Sequence, residues 1–213
     1  MDEGAVFVLL EGAWTTAWIS AVAILGGVPL GLALALMREA RVPVITQLIV
    51  AYVSLGRATP LVTLVLFIFL GAPLMGLPLD RYTAAVVTLL LNTAAFNAEV
   101  WRASLRSFPH EQIEAARAAG MTRSLYLRRI MLPQLWIISL PGLVNEMTLL
   151  IKASPAVAVI GIVDLTRVTN RIAAVTYEPL PPILAAAALY MVAIAGLVRL
   201  QRLSDERARR LTM

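Results

Sequence analysis

Apolar positions run almost unbroken from Gly12 to Met37 and recur in four further stretches, each flanked by charged residues or prolines. A helix rises 1.5 Å per residue, so about 20 apolar residues cross the roughly 30 Å hydrocarbon core of a bilayer. The pattern predicts one all-α integral membrane domain over residues 1–213 with five transmembrane helices, at about 13–37, 60–79, 82–101, 131–152 and 180–199. Trp14 and Trp18 stand at the start of the first span as interfacial anchors. Val42 to Gly56 is apolar but short, and reads as an interfacial or elbow helix leading into Arg57-Ala58-Thr59-Pro60, where the residue before proline is pushed out of the helical region. Ala153 to Val163, broken by Pro155, suits a re-entrant or interfacial piece. Asp164 to Tyr177 is polar enough to lie at a surface. Met1 to Glu11 carries acids and no Lys or Arg, so no basic start of a signal peptide is expected there.

One polar stretch interrupts this pattern, from Ser107 to Gln134. Ser107 is a candidate cap, Pro109 is suited to a first helical turn, and Gly120 can take the left-handed backbone that ends a helix. Thr122 can cap a second short helix through Arg129, and Pro133 then sits in the first turn of the fourth span. The expectation is two short helices at an angle, exposed between two spans, or an ordinary amphipathic interfacial helix.

Composition agrees with the pattern. The chain is 60% hydrophobic and 15% charged, which places it among membrane proteins. It has no cysteine and one histidine, His110, so thiolate metal sites, disulfides and imidazole clusters are excluded. The formal charge of +5 comes from arginines flanking apolar runs, which mark membrane orientation and not nucleic-acid binding. Arg38, Arg41 and Arg57, then Arg102, Arg106 and the arginines of the polar stretch, and those of the tail from Arg199 onward share one side. Only Arg81, Lys152, Arg167 and Arg171, of 18 Lys and Arg, are left for the other. Because cytoplasmic loops hold the excess of Lys and Arg, the amino terminus is expected outside and the carboxyl terminus and polar stretch in the cytosol.

Polar residues inside spans are functional candidates by default. Asn92 falls about 15 Å into the third span and Glu99 about 26 Å in, near the cytosol. Asn145 and Glu146 fall about 20 Å up the fourth span, and Lys152 about 30 Å up. Asn92 is a substrate contact or an interhelical hydrogen bond. Glu99 and Arg102, three apart on one helix face, are an interfacial ion pair or a cytoplasmic gate. Glu146 must be paired, hydrated or protonated at that depth, and can meet an ammonium. Lys152, the one lysine, either snorkels at a helix end or contacts a carboxylate. Pro141 frees the carbonyl of Ile137, giving a hinge, a substrate contact or a packing kink.

The polar stretch also carries Glu114-Ala115-Ala116, then Gly120, then Ile130, Leu132 and Pro133 at fixed offsets. This order resembles the cytoplasmic loop of ABC importer permeases, the helix pair that docks into the ATPase subunit. Tyr52-Val53 leading to Arg57, Thr59 and Pro60, Ala95-Phe96 with Ala98-Glu99 and Arg102, Gln112, Leu132-Pro133-Gln134, and Lys152 followed by Ile160-Gly161 and Leu165 are similar to the polar amino acid branch, of histidine, glutamate, glutamine, arginine or opine type. Departures are Ala58 where the branch has glycine, Glu111 before Gln112 where it has glycine, and Ala153-Ser154-Pro155 where an acidic residue and hydroxyls follow the lysine. The resemblance implies a type I importer permease in the bacterial inner membrane, forming the translocation path and coupled to ATPases through the loop at 107–130. It also implies a second permease subunit, identical or homologous, two ATP-binding cassette subunits that hold ATP and Mg, an extracytoplasmic solute-binding protein delivering substrate near Asp164 to Glu178, surrounding lipid, and no nucleic acid. The chain itself, lacking a nucleotide-binding glycine-rich loop with its lysine, is expected to be no enzyme and to hold no cofactor. Carriage of another small zwitterion, ectoine-like or opine-like, is the nearest alternative, and a non-transporting membrane scaffold is a further one.

Overall fold

The computed structural model describes residues 3–40 and 42–212, without the side chains of 200 and 203–212. Arg41 and the side chains of Arg207, Arg209 and Arg210, counted above for orientation, therefore lie outside the described part. The described residues form nine α-helices and no strand: α1 (Glu3–Glu39), α2 (Pro43–Ala58), α3 (Leu61–Leu74), α4 (Arg81–Arg106), α5 (His110–Ala118), α6 (Arg123–Tyr126), α7 (Leu132–Ala153), α8 (Leu165–Thr176) and α9 (Leu180–Thr212). One π-helical turn, Leu127–Met131, joins α6 to α7, and a 3-10 helix, Ser154–Ile160, follows α7.

Four helical runs are long and apolar enough to cross a membrane: Glu3–Glu39, Arg81–Arg106, Arg123–Ile160 and Leu180–Arg199. The second expected span, 60–79, differs. α3 ends at Leu74, short of residue 79, because Gly76 turns the chain at φ +78°. Its 14 residues reach only about 21 Å. α2 and α3 form a pair bent by 114°, which makes a fifth span if the two cross together. Pro60 lacks an N–H and holds Thr59 extended, at φ −85° and ψ 128°, which stops α2 there. The first span is also longer than its apolar run: α1 begins at Glu3, and its 37 residues reach about 55 Å, well past the hydrocarbon.

α1 and α4 form the centre of the bundle because small residues let their backbones meet. A Cβ on Gly31 would lie 2.8 Å from Asn97 Cβ and 2.9 Å from the Ala98 nitrogen, so glycine is what the contact admits. Trp101, 1% exposed, donates its indole N–H to the Val28 carbonyl across the same contact at 3.1 Å. The 3-10 helix packs Val157 and Ile160 in one cluster with Ile19, Val65, Ala84 and Leu89, and its length and Pro155 keep it apart from the long helices. α8 lies across the end of α1, with Asp164 as its N-cap accepting from the backbone N–H of Thr166 and Arg167 at 3.2 and 3.0 Å.

Candidate functional site: a membrane pocket and a polar docking loop

Two features carry chemistry, and one helical run connects them. The first is a pocket of about 180 Å³ between α3, α4 and α7, lined by Thr59, Asn92, Phe96 and Glu146 among others. Asn92 and Glu146, separate candidates in sequence, meet here. Asn92 donates from Nδ2 to the Gly56 carbonyl at 3.1 Å, near the end of α2, so it is both a pocket wall and an interhelical hydrogen bond. Glu146 is half-buried and, among the described residues, has no ion pair and no hydrogen bond. A carboxylate in that position is left for a cationic or hydrogen-bond-donating guest.

Arg57 is a residue that sequence reasoning used only for orientation. Exposed at the end of α2, it stands over the Phe96 ring at 5.5 Å, beside the pocket. The break Arg57-Ala58-Thr59-Pro60 was the available signal, since a 114° turn there swings the end of α2 onto α4. Phe96 and Thr93, also pocket residues, carried no such signal. The other two candidates lie elsewhere: Asn145 and Lys152 are exposed on α7 and do not line this pocket.

Below the pocket, Glu99 does more than pair with Arg102. Its Oε2 takes the Arg102 guanidinium at 2.5 Å and its Oε1 takes Arg38 of α1 at 2.7 Å. One carboxylate thus ties α1 to α4 between two guanidiniums, a link 61 residues apart in sequence that helix spacing could not reveal.

The second feature is the polar loop. α5 runs from His110 to Ala118 and Gly120 follows at φ +76°, a left-handed stop as expected. Thr122 caps α6 through its hydroxyl to the Leu125 N–H at 3.4 Å. Two expectations are corrected. Ser107 does not cap α5: Pro109 occupies that position, and the Ser107 hydroxyl donates back to the Ser104 carbonyl at 3.0 Å to close α4. Nor is α6 a separate short helix. The π turn runs on into α7, so the helical run extends from Arg123 to Ile160.

The seven residues of the loop pattern divide by burial. Glu114, Ala115, Gly120 and Pro133 are exposed. Ala116 is buried in a cluster with Phe108, Tyr126, Met131 and Trp101, against which Ile130 and Leu132 also pack. Gln134 donates to Gln112 at 3.0 Å, fastening α5 to the start of α7. The arrangement is a thin outward face on a rigid base, set at one end of the helical run that carries Glu146.

Comparison with known proteins places these features. A family model described as "Binding-protein-dependent transport system inner membrane component" matches residues 27–210. The arginine transport system permease protein of Bacillus subtilis is 35% identical over 187 residues, covering 87% of this chain and 85% of that protein. The nopaline transport system permease protein of Agrobacterium fabrum is 31% identical over 207 residues, covering 92% and 86%. Among solved structures, a crystal structure of an amino acid ABC transporter with histidines superposes with a TM-score of 0.85 at 34% identity, covering 95% of this chain and 94% of that one.

Proposed function

Since the chain belongs to the family of binding-protein-dependent transport system inner membrane components, we propose that its pocket at Asn92 and Glu146 is the station through which a polar amino acid passes. The chain is a multi-pass permease subunit of an ABC importer, a family that works with ATPase subunits and a binding protein. The finer assignment concerns substrate, partners and coupling. The observation that carries it is Glu146, a half-buried carboxylate without an ion pair or hydrogen bond among the described residues, opening on a pocket in the membrane.

An α-amino acid offers an ammonium for Glu146 and a carboxylate for Arg57, the two charges a zwitterion needs to meet in a medium where unpaired charge is costly. Opines share that pair of groups, and the relatives named for arginine and for nopaline agree with a substrate bearing both. Asn92 orients the guest by hydrogen bonding, and Phe96, from the same helix, forms an apolar wall beside it. No bond is made or broken here. The work is alternating access, driven by closure of two partner ATPases that hold ATP and Mg.

Coupling follows from the continuous helix. An ATPase groove takes the exposed face of α5 at Glu114 and Ala115, with Gly120 setting the angle between α5 and α6. Displacement there is passed along about 35 Å of helix from Arg123 to Glu146. Glu99, held by Arg38 and Arg102, lies beyond the pocket on the side of the loop, where a gate is needed. A second permease subunit completes the path in the inner membrane, and the binding protein delivers solute on the side of α8.

The test is reconstitution of the chain with its second permease, its ATPase and the candidate binding protein, with ATPase rate and uptake followed over an amino acid panel. Stimulation by one class of amino acid is expected. Glu146→Gln is expected to lower uptake about tenfold to a hundredfold, the loss of one charged hydrogen bond, with ATPase binding intact. Uptake unchanged in that variant overturns the role of Glu146, and failure of the chain to bind any ATPase overturns the importer reading in favour of a scaffold.

A further inference from the structure

The polar side chains of the pocket at Asn92 and Glu146 have their donors already committed. The Gly56 carbonyl lies in the last turn of α2, where the residue four further on is Pro60, which has no N–H to offer it. Asn92 Nδ2 meets that carbonyl at 3.1 Å. A carbonyl only accepts, so the amide is held with its NH2 toward α2. Its other atom, Oδ1, has no hydrogen bond among the described residues and is not sealed from the pocket that Asn92 lines. Thr59 spends its proton likewise: the hydroxyl donates to the Leu55 carbonyl at 2.7 Å, leaving the oxygen lone pairs. Glu146 adds its carboxylate. Thr93, the remaining polar lining residue, is 2% exposed, and its oxygen already takes the Asn97 amide at 3.1 Å. What the lining turns toward a guest is therefore a wall of acceptors.

Such a wall sorts cations by their N–H groups and not by charge alone. A primary ammonium brings a donor for each of Asn92, Thr59 and Glu146. A trimethylated nitrogen brings none, and strips those oxygens of water without replacing it. Quaternary ammonium is held instead by several aromatic faces gathered about its methyl groups. Here Phe96 is the one aromatic residue of the lining, and the Arg57 guanidinium already stands 5.5 Å from its ring centroid. Leu61, Leu149, Leu150 and Ala153 complete the lining and offer no π surface.

We propose that this acceptor wall selects guests by N–H donation: a zwitterion with a primary ammonium is admitted, and one whose nitrogen is fully alkylated, a betaine, is refused. Thr59 and the Asn92 amide, turned by the Gly56 carbonyl, are the specificity-determining groups beside Glu146. The proposal rests on the reading of this pocket as the station of a polar amino acid, and narrows it to one chemical class of zwitterion.

The test measures equilibrium binding to the full chain with its second permease and ATPase subunits in nanodiscs, without the binding protein, whose own selectivity would mask that of the pocket. The probes are radiolabelled L-glutamine, L-glutamate and L-ornithine, each competed by its derivative trimethylated on every amino nitrogen. The parent is expected to bind at least about a hundredfold more tightly than the derivative. Thr59→Val, which exchanges a hydroxyl for a methyl of like volume, is expected to cut that ratio about fivefold, and Asn92→Leu about tenfold. Loss of packing alone weakens parent and derivative alike and leaves the ratio unmoved, so the ratio reads the acceptors even in a weakened variant. Binding of the derivative as tight as that of its parent, or the same ratio in Thr59→Val as in the unaltered chain, overturns the acceptor wall and leaves the amino acid reading standing. Absence of binding by every parent overturns both.

Discussion

At Gly120, where φ is +76°, nothing lies within 4 Å of the position a Cβ would take. A side chain there meets no neighbour, so the backbone alone sets the consequence. Forcing a β-branched residue into that conformation costs on the order of 1–3 kcal/mol, whereas asparagine tolerates it. Gly120→Val is expected to keep assembly and ATP hydrolysis while uptake falls, and Gly120→Asn to keep both. Paired ATPase and uptake assays check this, and normal uptake by the valine variant would remove Gly120 from the coupling role. Asp164 offers a second residue-scale test. Burial holds its carboxyl above the ordinary value of 3.8, against the opposing pull of the two backbone N–H groups it caps. A raised folded value means its contribution to stability is complete below that ordinary value and is lost as pH rises through the raised one. Relative to Asp164→Asn, which does not titrate, the thermal midpoint of the unaltered protein is therefore expected to fall over that window. A rise would show that the caps outweigh burial. Sequence identified Asp164 only as the start of a surface stretch, because neither its burial nor its cap is a property of neighbours in the chain.

Elements of this protein are joined by close backbone approach, and the glycines differ in what they face. A Cβ at Gly31 would press on backbone, the Ala98 nitrogen at 2.9 Å and the Ala94 carbonyl at 3.1 Å. At Gly26 the nearest atom is the tip of the Leu90 side chain, which can rotate away. Gly31→Val is thus expected to separate α1 from α4 and to lower the thermal midpoint of the detergent-purified complex by many degrees. Gly26→Ala is expected to cost little, since one rotamer change absorbs it. Equal losses would mean that the α1–α4 contact does not rest on backbone proximity. Apolar run lengths made α4, α7 and α9 legible as spans, and Gly120 with Thr122 made the loop helices legible. The elbow and the break at Pro60 were legible from the proline, but the 114° of the bend and the end of α3 at Leu74 were not, because hydropathy records how apolar a segment is and not how it turns. The fusion of α6 with α7 escaped for a related reason. A hydroxyl cap at Thr122 marks where a helix starts, and only packing of Tyr126 and Met131 against Trp101 decides that it continues.

For the whole molecule, the surplus of arginine on one side predicts the amino terminus outside and the polar loop in the cytosol. The chain has no cysteine, so single cysteines can be introduced without background. A cysteine replacing Glu3 is expected to react with an impermeant maleimide on intact cells, and one replacing Glu114 only after permeabilisation. The reverse pattern would invert the topology and place the ATPase-docking face on the wrong side. Composition and the spacing of charges were enough for the membrane class, for most of the long apolar helices and for the loop pattern, because all of them depend on local transfer free energy and on residues near one another in the chain. The tertiary structure decided what depends on distant residues: Asn92 and Glu146 brought to one pocket with Arg57 over its Phe96 wall, and Glu99 shared between Arg38 and Arg102. Helix rotation and tilt set those meetings, and they follow from how small residues let particular helices approach, which no single segment encodes.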